Sequence, residues 1–273
     1  KQNADIVVAN DPDADRCAIF VKKDADYVRV TGNQIGALLL DHMLSLKTPP
    51  ENGALIKSIV SSDLTRDIAA SYGLPCFETF IGFKHMSRLI AQFEKEKSYK
   101  FVLAFEESIG YMAGDYTRDK DGLLAAMLLC DAAALQKAKG QTLFDRLNEL
   151  YERHGYFEEQ TISIPISSEQ ANALVDKLRD VLPRRVCSQN VKRVRDYLSG
   201  CELDLRTGRQ KIIGLAGSNA MAFYLSDNTT VVFRPSGTEA KIKIYVLARG
   251  PSAKIAQRRA ESAACAAPVT LGL

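Results

Sequence analysis

Residues 55–94 have the sequence LIKSIVSSDLTRDIAASYGLPCFETFIGFKHMSRLIAQFE, in which two short apolar runs alternate with two amphipathic segments. The runs at 55–60 and 76–80 are bounded by turn residues, as buried strands usually are. The segments at 64–72 and 84–94 place apolar residues at helical spacing on one face. Strands that alternate with helices predict a parallel or mixed sheet with helices on its faces.

Outward from this stretch, the same alternation predicts one α/β domain over residues 31–153, close to the usual size of a domain. Further helices are predicted at 33–46, 122–137 and 144–153, and a further strand at 101–105. Residues 1–30, with a strand at 5–10 and a hairpin, are predicted to be the C-terminal part of another α/β domain. Because the chain has no initial Met and enters that strand almost at once, we expect a fragment of a longer protein.

The last third of the chain, residues 154–273, has a different pattern. Helices are predicted at 168–182 and 252–266, and strands at 160–166, 211–215, 220–225, 230–234 and 241–248. Turns that contain Gly and Asn separate successive strands, which is typical of antiparallel hairpins. The predicted fold class is α/β: a partial α/β domain, then a complete α/β domain with a mixed sheet, then an α+β domain with an antiparallel sheet.

The composition limits the classes of partner. The 273 residues carry 36 Lys+Arg against 33 Asp+Glu, a formal net charge of +3. This balance argues against nucleic acid, and the basic run at 192–195 is interpreted as a solvated face. The six cysteines form no C-x-x-C pair, and no apolar stretch is long enough to span a membrane. These features favour a cytoplasmic protein with reduced thiols.

The strongest chemical signal is Asp11-Pro12-Asp13-Ala14-Asp15-Arg16, directly after the first predicted strand. Three carboxylates at alternate positions can converge on one hard cation such as Mg²⁺. An EF-hand loop would need Gly at its sixth place and Glu at its twelfth, where this chain has Arg16 and Lys22. An acidic surface turn and a phosphatase with an Asp nucleophile are the alternatives, and we favour metal binding over both.

A second signal is Arg234-Pro235-Ser236-Gly237-Thr238-Glu239, which lies between two predicted strands and is followed by Lys241. An Arg fork, two hydroxyls and the backbone N–H groups around a glycine can hold a phosphate dianion. An ordinary hairpin turn would also use Pro-Ser-Gly, but a turn seldom needs Arg, Ser and Thr together. We therefore predict a phosphate-binding loop here.

Two further segments follow predicted strands. FEESIG at 105–110 ends a strand, where α/β proteins bind ligands, and its carboxylate and hydroxyl two residues apart can bind sugar hydroxyls. The alternative for this segment alone is a solvated acidic loop. TFIGFKH at 79–85 joins a strand to a helix, and the helix N-terminus together with Lys84 favours an anion.

The segment RDKDG at 118–122 precedes the longest predicted helix. We interpret it first as a helix-capping cluster with Asp121 as the N-cap residue. From that position Arg118 and Lys120 could also reach a substrate phosphate.

Taken in order, these motifs resemble those of the α-D-phosphohexomutase family, which includes phosphoglucomutases and phosphomannomutases. DPDADR resembles the magnesium loop of the family, FEESIG its sugar-specificity loop and RPSGTE its C-terminal phosphate loop. GFK, and RDKDG before a helix, resemble the phosphoglucomutase side of the family. The resemblance covers essentially the whole chain, and the order of the motifs makes it specific.

The resemblance implies a role for each matched residue. The implied magnesium ligands are Asp11, Asp13 and Asp15. The implied catalytic residues, near the transferred phosphate or the sugar, are Arg16 and Lys84. Substrate binding is implied for Gly82, Glu106, Ser108, Arg118 and Lys120. Binding of the non-reacting phosphate is implied for Arg234, Ser236, Gly237, Thr238 and Lys241.

The resemblance also implies a reaction, in which hexose 1-phosphate and hexose 6-phosphate interconvert through a bisphosphate. Hexose 1,6-bisphosphate would activate the full-length enzyme. The family carries its phosphoserine in a loop with a Ser-His dipeptide, which this chain does not contain. We therefore expect the fragment alone to be inactive without the N-terminal domains of the same protein. A metal-dependent sugar-phosphate phosphatase and a non-catalytic sugar-phosphate-binding fragment are the alternatives.

Overall fold

The computed structural model describes residues 3–273, and the chain divides after His154 into two compact units. The first unit contains both the segment at 1–30 and the predicted α/β domain, and the second unit is Gly155–Leu273. The predicted division into three domains, 1–30, 31–153 and 154–273, therefore stays a prediction. No helix among residues 3–273 is both long and apolar enough to cross a membrane.

The first unit begins with an antiparallel three-stranded meander. Its strands are β1 (Ile6–Asn10), β2 (Cys17–Lys23) and β3 (Asp26–Val30). The side chains of Cys17, Ile19 and Val21 alternate along β2 and are all buried, which is the pattern of a strand with one face on a core. This face orients the loop between β1 and β2, which carries the three aspartates.

The rest of the first unit is a mixed sheet with helices on its faces. Its elements are α1 (Gly32–Leu46), β4 (Gly53–Ser58), α2 (Leu64–Ser71), β5 (Cys76–Thr79), α3 (Phe83–Glu96), β6 (Lys100–Glu106), β7 (Gly110–Ala113), α4 (Gly122–Ala138) and α5 (Leu143–His154). The strand order is β5-β4-β6-β7; β4 pairs in parallel with β5 and β6, and β7 is antiparallel to β6. The carboxyl ends of β4, β5 and β6 therefore meet at one edge.

The second unit is an antiparallel sheet with two helices. Its elements are β8 (Tyr156–Pro165), α6 (Ser168–Asp180), β9 (Arg185–Val186), β10 (Gln189–Asp196), β11 (Cys201–Asp204), β12 (Gln210–Ile212), β13 (Met221–Leu225), β14 (Thr230–Pro235), β15 (Lys241–Gly250) and α7 (Ala253–Leu271). The strand order is β12-β11-β10-β13-β14-β15-β8, with β9 paired to β10. Apolar side chains of the central strands and of both helices form its core. Together with the mixed sheet of the first unit, this architecture confirms the predicted fold class.

The interpretation of the basic run at 192–195 as a solvated face was incomplete. These residues lie in β10, where Val191 and Val194 are buried and the charged residues between and beside them are not. The pairing of β10 with β13 shifts register between Val191 and Arg193, so the buried positions are three apart instead of two. Because of this bulge, buried and exposed residues do not alternate along β10, and that alternation is the pattern by which a strand is predicted from a sequence.

A charged cluster stabilises the outer strands of the second unit. Glu202 on β11 accepts hydrogen bonds from Arg195 at 2.6 Å and Arg193 at 3.1 Å, and its other oxygen lies 3.0 Å from the Lys211 ammonium. Burial alone would raise the pKa of the Glu202 carboxyl, but the three cations outweigh it and lower this pKa to about 2. Folding therefore favours the ionised form of Glu202.

We expect the Glu202 cluster to make the second unit acid-sensitive. The folded pKa lies below the ordinary value of 4.5, so the stabilisation is complete above pH 4.5 and disappears as the pH falls towards 2. Over that range the free energy of unfolding should fall by roughly 2–3 kcal/mol more in the wild type than in Glu202→Gln. Urea unfolding at pH 5, 4, 3 and 2 measures the difference. Glu239→Gln, which removes the ion pair between an exposed carboxylate and Lys241, is the control and should follow the wild type.

Candidate functional site

The aspartate loop, residues 11–16, is a tight turn between β1 and β2. The backbone N–H of Ala14 donates to the Asp11 carbonyl at 2.9 Å, and Ala14 adopts a left-handed conformation with φ 56°. The Arg16 backbone N–H donates to Asp11 Oδ1 at 3.2 Å. The Arg16 guanidinium lies between Asp11 and Asp15, which are both half-buried. Its Nε is 3.8 Å from Asp11 Oδ2 and 3.9 Å from Asp15 Oδ1. Asp13 is exposed.

The aspartate loop is joined to the segment at 106–110, which we call the EES loop. The Cys17 N–H donates to the Ile109 carbonyl at 3.1 Å, and Arg16 Nη1 donates to the Ser108 carbonyl at 3.3 Å. Arg16 also forms an isolated antiparallel bridge with Gly110. Sequence-distant loops are thereby held side by side, with Arg16 as the connecting residue.

The segment at 118–122 contacts the aspartate loop. The Gly122 N–H donates to the Ala14 carbonyl at 3.1 Å, and a Cβ at position 122 would lie only 2.4 Å from the Arg16 carbonyl oxygen. Glycine is therefore required here by close approach of the two backbones. Asp121 is the N-cap of α4, as predicted: its Oδ1 accepts from the N–H groups of Leu123 and Leu124.

The side chains of Lys120 and Arg118 contact different parts of the first unit. The Lys120 ammonium lies 2.6 Å from Asp15 Oδ2 and 5.7 Å from the centre of the Phe83 ring. Burial lowers the pKa of Lys120, but the contacts with Asp15 and Asp119 outweigh it and raise this pKa above its ordinary value. Arg118 instead pairs with Glu94 near the end of α3. The structure thus brings Lys120, but not the Arg118 guanidinium, to the aspartate loop.

Glu106 connects the EES loop to the junction of β5 and α3. It is 7% exposed, and its Oε1 accepts a hydrogen bond from the Gly82 N–H. Desolvation raises the pKa of the Glu106 carboxyl despite that hydrogen bond. Gly82 has φ 114°, which favours glycine, and the neighbouring Lys84 is exposed in the first turn of α3. The predicted residues Gly82, Lys84, Glu106 and Ser108 therefore lie at or just after the carboxyl ends of β5 and β6, at one edge of the sheet.

The donor chemistry of the aspartate loop suits a hard divalent cation. Asp15 Oδ1 is buried and has no hydrogen-bond partner among the described residues, although Arg16 Nε lies 3.9 Å away. As the side chains are placed, however, no three His, Cys, Asp or Glu side chains within residues 3–273 are gathered closely enough to hold a metal ion. Metal binding by Asp11, Asp13 and Asp15 thus fits the ligand types but requires these side chains to turn towards a common point.

The predicted phosphate loop is a hairpin connection between β14 and β15 in the second unit. The Ser236 N–H donates to the Lys241 carbonyl at 2.9 Å, and the Lys241 ammonium lies 2.7 Å from Glu239 Oε2. Gly237 and Thr238 are exposed at the tip, while Arg234 is half-buried at the end of β14. A Cβ at position 237 would meet no atom within 4 Å, so space alone does not require this glycine. The five predicted phosphate-binding residues lie on this connection and on the strand residues that flank it.

Two serines that hold Glu107 were not predicted from the sequence. Its Oε2 accepts from Ser58 Oγ at 3.1 Å and lies 3.5 Å from Ser61 Oγ. Both serines follow the apolar part of β4, at the same sheet edge as the EES loop. Polar residues directly after a buried strand were the available signal.

Comparison with known proteins shows which family the chain resembles. Residues 31–154 match the family model for the α/β/α domain III of phosphoglucomutase/phosphomannomutase. The chain is similar to proteins of this family over most of its length. A phosphoglucomutase of Staphylococcus haemolyticus is 32% identical over 249 residues, which are 89% of this chain and 45% of the relative. One from Staphylococcus aureus is 33% identical over 257 residues, 92% of this chain and 46% of the relative. The resemblance drawn from the motifs is thus confirmed.

Solved structures of the mutase family share the fold. The phosphoglucomutase parafusin from Paramecium, in its open form, has a TM-score of 0.65 at 19% identity, covering 96% of this chain and 46% of that one. A phosphoglucomutase/phosphomannomutase family protein from Burkholderia thailandensis has a TM-score of 0.61 at 16% identity, covering 98% and 47%. The chain spans just under half the length of the curated relatives it matches.

Proposed function

We propose that this chain supplies the metal, sugar and phosphate loops of a cytoplasmic phosphohexomutase, which interconverts hexose 1-phosphate and hexose 6-phosphate through a bisphosphate. The observation that carries the proposal is the junction in the first unit, where Arg16 joins the aspartate loop to the EES loop and Lys120 contacts Asp15. Acidic, cationic and sugar-binding groups adjoin there. The names of the relatives support a mutase over a phosphatase.

Each loop has a proposed task. Asp11, Asp13 and Asp15 would hold Mg²⁺, which when bound supplies positive charge to offset the charge of the transferred phosphoryl group. Arg16, Lys84 and Lys120 add cationic donors for phosphate oxygens. Glu106 and Ser108 bind sugar hydroxyls. The proposed phosphate loop consists of Arg234, Ser236, Gly237, Thr238 and Lys241.

The serine that carries the phosphoryl group is proposed to come from outside these 273 residues, on the N-terminal domains of the same protein. A cup of backbone amides and hydroxyls recognises a phosphate without recognising one ring position. Such a loop can accept the bisphosphate in either orientation, which a mutase requires. Hexose 1,6-bisphosphate would then serve as both intermediate and activator.

Calorimetric titration of the chain with glucose 1-phosphate and with glucose 1,6-bisphosphate, each with and without Mg²⁺, tests the proposal. We expect both sugar phosphates to bind and Arg234→Ala to weaken binding by about tenfold to a hundredfold, since a charge-assisted hydrogen bond contributes about 1.5–3 kcal/mol. Arg258→Ala, which removes the same charge from an exposed position on α7, should bind as the wild type does. Equal affinities in all three proteins would contradict the phosphate role.

Two activity assays separate the proposed reaction from its alternatives. The chain alone should not interconvert glucose 1-phosphate and glucose 6-phosphate, because it lacks the serine. Clear interconversion would refute the need for that residue. Release of inorganic phosphate from either ester would instead support the metal-dependent phosphatase.

A further inference from the structure

The serine loop, residues 58–62, lies beside the EES loop because β4 and β6 are neighbouring parallel strands. Lys57 on β4 is in register with Phe105 on β6, one residue before each strand reaches its last position. The carboxyl ends of parallel strands form the edge at which α/β sheets bind their ligands. The serine loop therefore borders the candidate site without having been assigned any part in it.

Two hydroxyls of the serine loop converge on one carboxylate oxygen. Ser58 Oγ and Ser61 Oγ are 2.8 Å apart, and they lie 3.1 Å and 3.5 Å from Glu107 Oε2. Both serines are 0% exposed. Hydroxyls buried to this degree cannot contact a substrate, but in the interior they hold a carboxylate firmly in one orientation.

The serine loop is itself anchored by a buried ammonium group. Lys57 is 1% exposed, and its Nζ donates to the Ser61 carbonyl at 2.8 Å. The same Nζ lies 3.2 Å from Asp63 Oδ1 and 3.4 Å from Glu78 Oε1. Because a buried cation keeps its partners close, the Ser61 backbone has little freedom to move away from Glu107.

Three consecutive residues of the EES loop are thus held by three different elements. Glu106 accepts from the Gly82 N–H, Glu107 from the serine loop, and the Ser108 carbonyl from Arg16. The Glu107 backbone also packs against the start of α1, where a Cβ on Gly32 would lie 1.9 Å from the Glu107 carbonyl oxygen. Glu107 therefore anchors the EES loop between Glu106 and Ser108, the two residues proposed to bind sugar hydroxyls.

We infer that Ser58 and Ser61 are positioning residues, which orient the EES loop through Glu107 so that Glu106 and Ser108 present their polar groups to a hexose phosphate. The sugar part of this inference rests on the proposed function. The mechanical part, that the serine loop holds the EES loop, rests on the contacts alone. The two parts can be tested separately.

The test compares the double variant Ser58→Ala/Ser61→Ala with Ser62→Ala in the complete chain. Ser62 lies in the same loop at 1% exposure, but its hydroxyl accepts from the Leu64 N–H and does not touch Glu107. Amide hydrogen exchange of residues 106–110 is the first readout. It should be about tenfold faster in the double variant, the effect of one lost hydrogen bond of typical strength, and unchanged in Ser62→Ala. Unchanged exchange in the double variant overturns the inference.

Affinity for glucose 1-phosphate, measured by calorimetry, is the second readout. It should fall about fivefold to tenfold in the double variant and stay at the wild-type value in Ser62→Ala. Faster exchange with unchanged affinity would overturn the role in sugar binding. A wild-type chain that does not bind the sugar phosphate would refute the proposed function, while the exchange readout would still decide whether the serines hold the loop. If the double variant does not fold, Ser58→Ala alone gives the same comparison.

Discussion

Arg146→Ala is expected to lower the free energy of unfolding of the first unit by about 3–5 kcal/mol. Arg146 on α5 donates to both oxygens of Asp41 on α1, each at 2.7 Å. Asp41 is only 3% exposed, so loss of the guanidinium leaves a carboxylate with neither partner nor solvent. Bidentate pairing also fixes the angle between the two helices, which alanine cannot do.

Urea unfolding, followed by circular dichroism and by amide exchange of α1, measures this loss. Lys137→Ala is the control, because its ion pair with Asp5 is equally short at 2.7 Å but exposed on both sides. An exposed pair contributes at most about 1 kcal/mol. The double variant Asp41→Ala/Arg146→Ala should lose less than the sum of the single variants. A loss below 1 kcal/mol for Arg146→Ala would show that the buried pair contributes little.

Lys57→Met is expected to destabilise the first unit by about 3 kcal/mol. Methionine keeps most of the apolar volume but removes the ammonium group from Asp63 and Glu78, which keep their contacts with Arg66. It also removes the hydrogen bond to the Ser61 carbonyl. Burial by itself would lower the pKa of Lys57, but the neighbouring carboxylates outweigh it and raise this pKa well above its ordinary value. The folded state thus holds Lys57 firmly in its charged form.

Arg66→Met is the matched control for Lys57→Met. Arg66 pairs with the same two carboxylates, but its side chain is 37% exposed. Arg66→Met should therefore lower the free energy of unfolding by about 1 kcal/mol, since water can solvate the carboxylates that lose the guanidinium. Amide exchange of β4 should increase strongly in Lys57→Met and weakly in Arg66→Met, with β14 of the second unit as an internal reference. Equal effects of the two substitutions would contradict the importance of burial.

Most elements of the first unit could be predicted from local patterns, and the exceptions have identifiable reasons. β7 was not predicted because the left-handed position in the connection from β6 is held by Ile109, with φ 61°, where a hairpin usually has glycine. In the second unit, β10 was missed because a bulge breaks its alternation, and β11 is only four residues long. Local periodicity is a weak signal where a strand is short or irregular.

The candidate site was predicted in part. The motifs identified the aspartate loop, the EES loop and Asp121 as a helix cap, since each is a local pattern with a chemical meaning. The same role was predicted for Arg118 and Lys120, because the two residues are only two positions apart and local patterns do not distinguish them. In the structure Lys120 contacts Asp15 whereas Arg118 contacts Glu94 on α3. That division depends on where α3 lies, which no spacing along the chain encodes.

The sequence by itself determined most of the strands and helices, the mixed and antiparallel sheets and the resemblance to the family, because periodicity and motifs are properties of neighbouring residues. Only the tertiary structure decided how the EES loop is held. Three of its hydrogen bonds, with Gly82, Ser58 and Arg16, join residues that are 24, 49 and 92 positions apart. Contacts of that range form only when the sheet has set the strand ends side by side, so the positioning of Glu106 and Ser108 is a property of the fold.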